Sequence, residues 1–91
     1  MSMSGNFTGM DIGAVRGLAG QMDGYISQVN DILSKLTASL GHTSWTGADA
    51  SRFRDQWQNQ HIAELRSVIS GLTDAAGACR RNAGEQEGAS A

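Results

Sequence analysis

No proline occurs anywhere in this 91-residue chain, so nothing in it breaks a long helix from within. Aromatic residues are scarce as well, two Phe, two Trp and one Tyr, whereas strands draw heavily on aromatic and β-branched side chains. Together these shortages predict an all-α fold. The single cysteine, Cys79, excludes an internal disulfide and leaves no second thiol for a cysteine-based metal site. Seven basic residues against nine acidic ones give a formal net charge of −2, without the concentrated cationic face that phosphate neutralisation requires, so nucleic acid is not an expected partner. No apolar run approaches the roughly 20 residues needed to cross a bilayer. Residues 1–11 lack a basic cluster followed by an apolar core, so export, if it occurs, is expected to use a route other than the general secretory leader.

What the sequence does contain is two long apolar seams. From Ile12 they fall at Val15, Ala19, Met22, Ile26, Val29, Leu33, Leu36 and Leu40, gaps of three and four alternating without a break, which is a heptad pattern. The second seam runs through Ala50, Phe53, Trp57, His61, Leu65, Val68, Leu72, Ala75 and Cys79. Its three successive gaps of four form a stutter that locally relaxes supercoiling. Leu18, Tyr25 and Ile32 flank the first seam at spacing seven, and Ile62, Ile69 and Ala76 flank the second. Both stripes are wider than one helix pair can cover. A chain this short also buries little of its surface alone, so stability from partners is expected.

Between the seams, Gly41 to Gly47 is a glycine followed by small polar residues and Trp45, the composition of a short reversing loop. The reading is an antiparallel helical hairpin over residues 1–84, with helix 1 about 9–40, a turn at 41–46, helix 2 about 47–83 and a flexible tail over 85–91. Helices of some 30 residues imply a rod on the order of 45–50 Å long. The two helix starts match in pattern, Phe7-Thr8-Gly9-Met10-Asp11-Ile12 and Trp45-Thr46-Gly47-Ala48-Asp49-Ala50: threonine as cap, aspartate against the exposed amides, and the aromatic packed on the following apolar residue. Leu33, Leu36, Leu40, Phe53 and Trp57 make the loop end the better packed one. At the open end helix 1 carries Gly13, Gly17, Gly20 and Gly24 on the side opposite its seam, and helix 2 offers Gly71, Ala75, Ala76, Gly77 and Ala78, so little side-chain area can be buried there and that end should fray first.

Candidate chemistry is sparse. His61 and Glu64 stand one turn apart, but helix-bundle metal motifs place the glutamate before the histidine. Helix 1 offers only Asp11, Asp23 and Asp31 as carboxylates, too few for a metal centre. His61 reads as a residue at the seam edge that could respond to mild acid, and Cys79 as a small buried hydrophobe. No nucleophile is paired with a base, no glycine-rich phosphate loop is present, and a lone hairpin encloses no site. No enzymatic activity, metal or cofactor is expected.

Two heptad-patterned helices joined at a mid-chain Trp45-Thr46-Gly47, with Phe53 and Trp57 following, resemble the WXG100 family of small bacterial proteins over nearly the whole chain. The resemblance implies a homodimer, or a heterodimer with a paralogous WXG100-like chain, built as a four-helix bundle on the core seam of Ile26, Val29, Leu33, Leu36, Leu40, Phe53, Trp57, Leu65, Val68 and Leu72. It implies export from the cytoplasm by type VII (ESX-like) secretion without a cleaved signal peptide, with the secretion ATPase as a further partner. The family's export signal, a tyrosine followed four residues later by an acidic residue beyond the second helix, has no counterpart here, since no tyrosine follows Tyr25. Three roles follow in order of weight: an exported substrate or half of an exported pair, a cytoplasmic targeting factor or chaperone for a larger exported toxin, and an intracellular helical adaptor. The tryptophan turn is expected to serve folding first, with Trp45 stabilising the loop end and Gly47 allowing close passage of the chain.

Overall fold

A computed structural model of the chain describes residues 10–90. All regular structure among them is helical: α1 spans Ile12–His42, α2 Ala48–Gln56 and α3 Ile62–Ser90. A π-helical turn, Trp57–His61, joins α2 to α3 as one continuous rod. The hairpin measures 63 × 18 × 18 Å. It is longer than the expected rod because the second helical rod runs on through the segment read as a tail. Glu87 in that segment bonds Arg16 of α1, which ties the carboxyl-terminal turns to the hairpin.

Both helix starts differ from the paired pattern. The expected Thr8 cap and its Phe7 lie outside the described residues. Asp11 itself caps α1, its side chain accepting from the Ala14 amide at 2.9 Å, which places the first helical residue at Ile12. The cap of α2 is Gly47, with no side-chain cap bond. Its φ of 110° and ψ of 176° lie in a region essentially reserved for glycine. A Cβ built there would meet no other atom within 4 Å, so within the hairpin Gly47 is required by its backbone angles and not by close passage. Gly41 does not stop α1, which continues to His42. The helix is closed by Thr43, whose amide and hydroxyl both donate to the Ser39 carbonyl. The reversing segment is therefore residues 43–47.

The α1 seam packs as its spacing predicts: Ile12, Val15, Ala19, Met22, Ile26, Val29, Leu33, Leu36 and Leu40 are all buried or half-buried. In the second rod the π-turn changes the outcome. The Ile62 amide donates to the Trp57 carbonyl, five residues back, so one extra residue is held in that turn. Every later residue is set back by about one residue of rotation, about 100°. Ile62, Leu65, Ile69, Leu72, Ala76, Cys79 and Ala83 face α1, while Val68 lies outside the hairpin interface. The flanking row of the sequence reading thus becomes part of the seam, and Val68 becomes part of the flank.

The best-buried residues are mostly small. Ala19, Ala50, Ala76 and Ala83 are essentially inaccessible, joined by Leu33 and Trp57, and no large side chain is completely covered. Small residues at the open end leave little area to bury, but there they let the helices approach closely. Two ion pairs, Arg16 with Glu87 and Arg80 with Asp23, bridge the helices there as well.

Candidate functional site

The turn is built around a residue that sequence patterning did not single out. Arg54 of α2 reaches back across the reversal and donates to the carbonyls of Leu40, Thr43 and Trp45. Its guanidinium also lies 5.8 Å from the centroid of the Trp45 ring. Carbonyls at a helix carboxyl end carry partial negative charge and have no helical partner, so one planar, fork-shaped cation satisfies several of them at once. Beside it, Trp45, Phe53, Trp57 and His61 form a ring ladder, with centroids 6.0 Å apart for Trp45 and Phe53 and 6.5 Å for Phe53 and Trp57. His61 sits 6.4 Å from both Phe53 and Trp57. Trp57 is anchored to α1 by its indole N–H, which donates to the Thr37 hydroxyl at 3.0 Å. Of the turn motif, Thr46 makes no cap.

The two flanks of the hairpin are chemically unlike. Arg16 and Asp23 each follow a seam residue of α1, Val15 and Met22, and pair with Glu87 and Arg80, which follow Gln86 and Cys79 in α3. These positions border one flank, and ion pairs close it. Leu18, Tyr25 and Ile32 each precede a seam residue of α1, as His61, Val68 and Ala75 do in α3, so by helical geometry they border the opposite flank. That flank is apolar and open to solvent: Leu18 is 43%, Tyr25 51%, Ile32 55% and Val68 52% exposed. The strip from Leu18 to Ile32 covers about 21 Å of helix, roughly the middle third of the 63 Å rod.

Ion pairs occur within the helices as well as between them. The hydrogen bond from Arg16, reinforced by its charge, holds the Glu87 carboxyl below the ordinary carboxylate range and raises Arg16 above its own usual value. Lys35 is likewise raised by its bond to Asp31 one turn away. His61 Nδ1 lies 3.0 Å from Glu64 Oε1, and that hydrogen bond lowers the Glu64 carboxyl. No cluster of three or more His, Cys, Asp or Glu is placed to hold a metal ion among the described residues. Two shallow grooves of about 210 and 460 Å³ lie between the helices near the turn, one lined by Leu40, Arg54 and Trp57, the other by Leu33, Ile62 and Arg66. Neither is lined by a histidine, cysteine or carboxylate. No helix among the described residues is long and apolar enough to cross a membrane.

Of the residues expected to form the seam, Ile26, Val29, Leu33, Leu36, Leu40, Phe53, Trp57, Leu65 and Leu72 are brought together between the helices, while Val68 is placed on the open flank. Cys79 is half-buried in the seam. Arg54 was the residue missed, and its only signal in the sequence was an arginine placed one and a half to two turns into a helix that follows a short reversal. Compared with protein-family models, curated proteins and solved structures, the chain matches none.

Proposed function

We propose that this chain works by helical pairing: the apolar flank docks on the same flank of a second copy, or of a like chain, to form a four-helix bundle. The observation that carries the reading is the asymmetry of the hairpin, one flank closed by cross-helix ion pairs and the other presenting Leu18, Tyr25, Ile32 and Val68 to water. Contiguous apolar surface rimmed by polar residues is the mark of a protein interaction site. The total surface points the same way. The chain exposes 6021 Å², against about 5,100 Å² for a compact protein of its size.

The Trp45-Thr46-Gly47 turn between two heptad helices supports a more specific role, that of a WXG100-like substrate or secretion partner of a type VII system, acting without catalysis. In that role the chain is made in the cytoplasm and exported as a folded pair through contact with the secretion ATPase. An alternative partner for the same flank is the helical amino-terminal part of a larger exported toxin, with this chain as its chaperone.

Light scattering of the purified chain over a wide concentration range tests the pairing: a helical dimer is expected, and a monomer at every concentration overturns self-pairing. Export is tested by assaying the culture medium of a bacterium carrying a type VII system. The chain should be found there and should disappear when the ATPase gene is deleted. Persistence after that deletion removes the type VII assignment, and co-purification with a larger toxin in place of a second copy favours the chaperone role.

A further inference from the structure

Two copies that meet face to face on the open flank, with their rods aligned, can be related by a two-fold axis in two ways. With the axis along the rod, the turn ends lie together and α1 of each copy rests on α3 of the other. With the axis across the rod, the turn ends point apart and each helix rests on its own counterpart. Side-chain size separates the two. On the flank α1 presents Leu18, Tyr25 and Ile32, and α3 presents Val68, Ala75 and Asn82. The Arg16–Glu87 and Asp23–Arg80 pairs fix the levels, and counting along the helices from them puts Tyr25 within about one turn of Ala75 and Ile32 within about one turn of Val68. An axis along the rod therefore lays the larger residues of α1 over the smaller ones of α3, and the two layers can close at an even spacing. An axis across the rod, centred on the strip at Tyr25, sets Tyr25 on Tyr25 and Leu18 on Ile32 while Ala75 meets Ala75. That arrangement holds α1 apart from its counterpart where α3 needs close approach.

Charge separates them in the same direction. Lys35 follows Ile32 by three residues, as Glu64 follows His61 and Glu85 follows Asn82, so all three stand on the outer rim of the open flank. Lys35 and Glu64 also lie within about one turn of each other in level. With the axis along the rod, Lys35 of one copy faces Glu64 of the other, and symmetry makes the contact twice. With the axis across the rod, Glu64, eleven residues before Ala75, meets Glu85, ten residues after it, and like charges face each other twice. We propose that two copies pair with their turn ends together, α1 of each chain on α3 of the other, and that Lys35 of one protomer bonds Glu64 of its partner and so sets this orientation. The inference rests on the open flank being the docking face for a second copy. Lys35 already holds Asp31, and Glu64 holds His61, but an ammonium has three donors and a carboxylate two oxygens, so each can take a further partner.

The test is a charge exchange and a distance on the full-length chain. Lys35→Glu and Glu64→Lys should each weaken pairing several-fold on dilution, and the double exchange should restore it. A spin label at Ser44→Cys, exposed in the reversal, in a Cys79→Ala background, should then report a separation on the scale of the 18 Å width of the hairpin; the crosswise axis predicts about 60 Å. The long separation, a double exchange that restores nothing, or a tighter dimer on Glu64→Lys alone, the mark of relieved repulsion from Glu85, would each overturn the orientation and leave self-pairing standing. The charge exchange keeps Cys79 and needs no label, so it decides the matter if the labelled variant does not fold. Failure of the underlying reading looks different: a chain that light scattering finds monomeric at every concentration removes self-pairing itself, and the orientation with it.

Discussion

At the scale of single residues, two positions hold the reversal. Gly47 adopts angles that other residues avoid, with free space around it, so Gly47→Ala adds backbone strain and no clash. We expect a loss of about 1–3 kcal/mol, measured by thermal or urea unfolding; an unchanged midpoint would mean the turn adapts freely. Arg54→Ala leaves the Leu40, Thr43 and Trp45 carbonyls without their cation and should cost roughly 1.5–3 kcal/mol. Arg54→Lys should recover little, because an ammonium cannot span three carbonyls as the fork does. Gly47 was legible in the sequence as part of the turn, but its left-handed backbone angle was not. Arg54 was not, because heptad patterning reports which residues face a helix partner and says nothing of a cation reaching back over a turn.

Glu87 gives the residue scale its pH dependence. Its carboxyl is held below the ordinary range in the folded chain, so the pair with Arg16 contributes fully above the ordinary glutamate range and is lost as pH falls through the lowered folded value. Amide protection at the open end, taken relative to the unstructured exchange rate at each pH, should therefore fall under acid, and Glu87→Gln should flatten that component of the profile. Were the variant as acid-sensitive as the parent at Arg16 and its neighbours, the pair would not be what titrates.

At the scale of elements, α1 was the most legible part of the molecule, since its alternating gaps of three and four need no correction when wound as a helix. Its glycines lie away from the seam, and a Cβ at Gly17, Gly20 or Gly24 would meet no atom within 4 Å. Each glycine-to-alanine change there should raise stability by about 0.8–1.0 kcal/mol, seen as a higher unfolding midpoint. A fall at any of the three would show that the face is packed in the functional state. The second rod was legible as a helix and misleading as a seam. Its stutter, the three gaps of four from Phe53 to Leu65, predicted a local relaxation of the supercoil, but a stutter can be absorbed either by unwinding spread over several turns or by one π-turn, and only the second choice turns Ile69 inward and Val68 outward. The helical stretch beyond residue 83 was hidden for another reason. Its glycines, glutamates and small residues read as a tail until Arg16, 71 residues earlier in the chain, is placed against Glu87.

At the scale of the whole molecule, pairing is tested by polar substitutions on the exposed strip. Val68→Asp and Leu18→Glu alter residues that are about half exposed in the hairpin, so helicity of the monomer should be retained while the dimer dissociates, with the mass falling to that of one chain. Loss of helicity in step with loss of the dimer would mean instead that the hairpin does not stand without its partner. The surplus of apolar surface on α1 was plain in the sequence from the Leu18, Tyr25 and Ile32 row at spacing seven, whereas the Ile62, Ile69 and Ala76 row read the same way and packs in the seam. Which flank carries it was not, because that depends on the cross-helix ion pairs and the π-turn, neither of which is local in sequence.

The 63 × 18 × 18 Å outline also bears on transport. Seen end on, the hairpin presents the footprint of two helices side by side, and one of its two ends is the short reversal clamped by Arg54. An aperture of that bore passes it intact, and a docked second hairpin enlarges the footprint without lengthening the rod. For the export proposed above, passage singly or as a pair is therefore a question about the width of the opening, and graded pores of known diameter would distinguish the two by size alone.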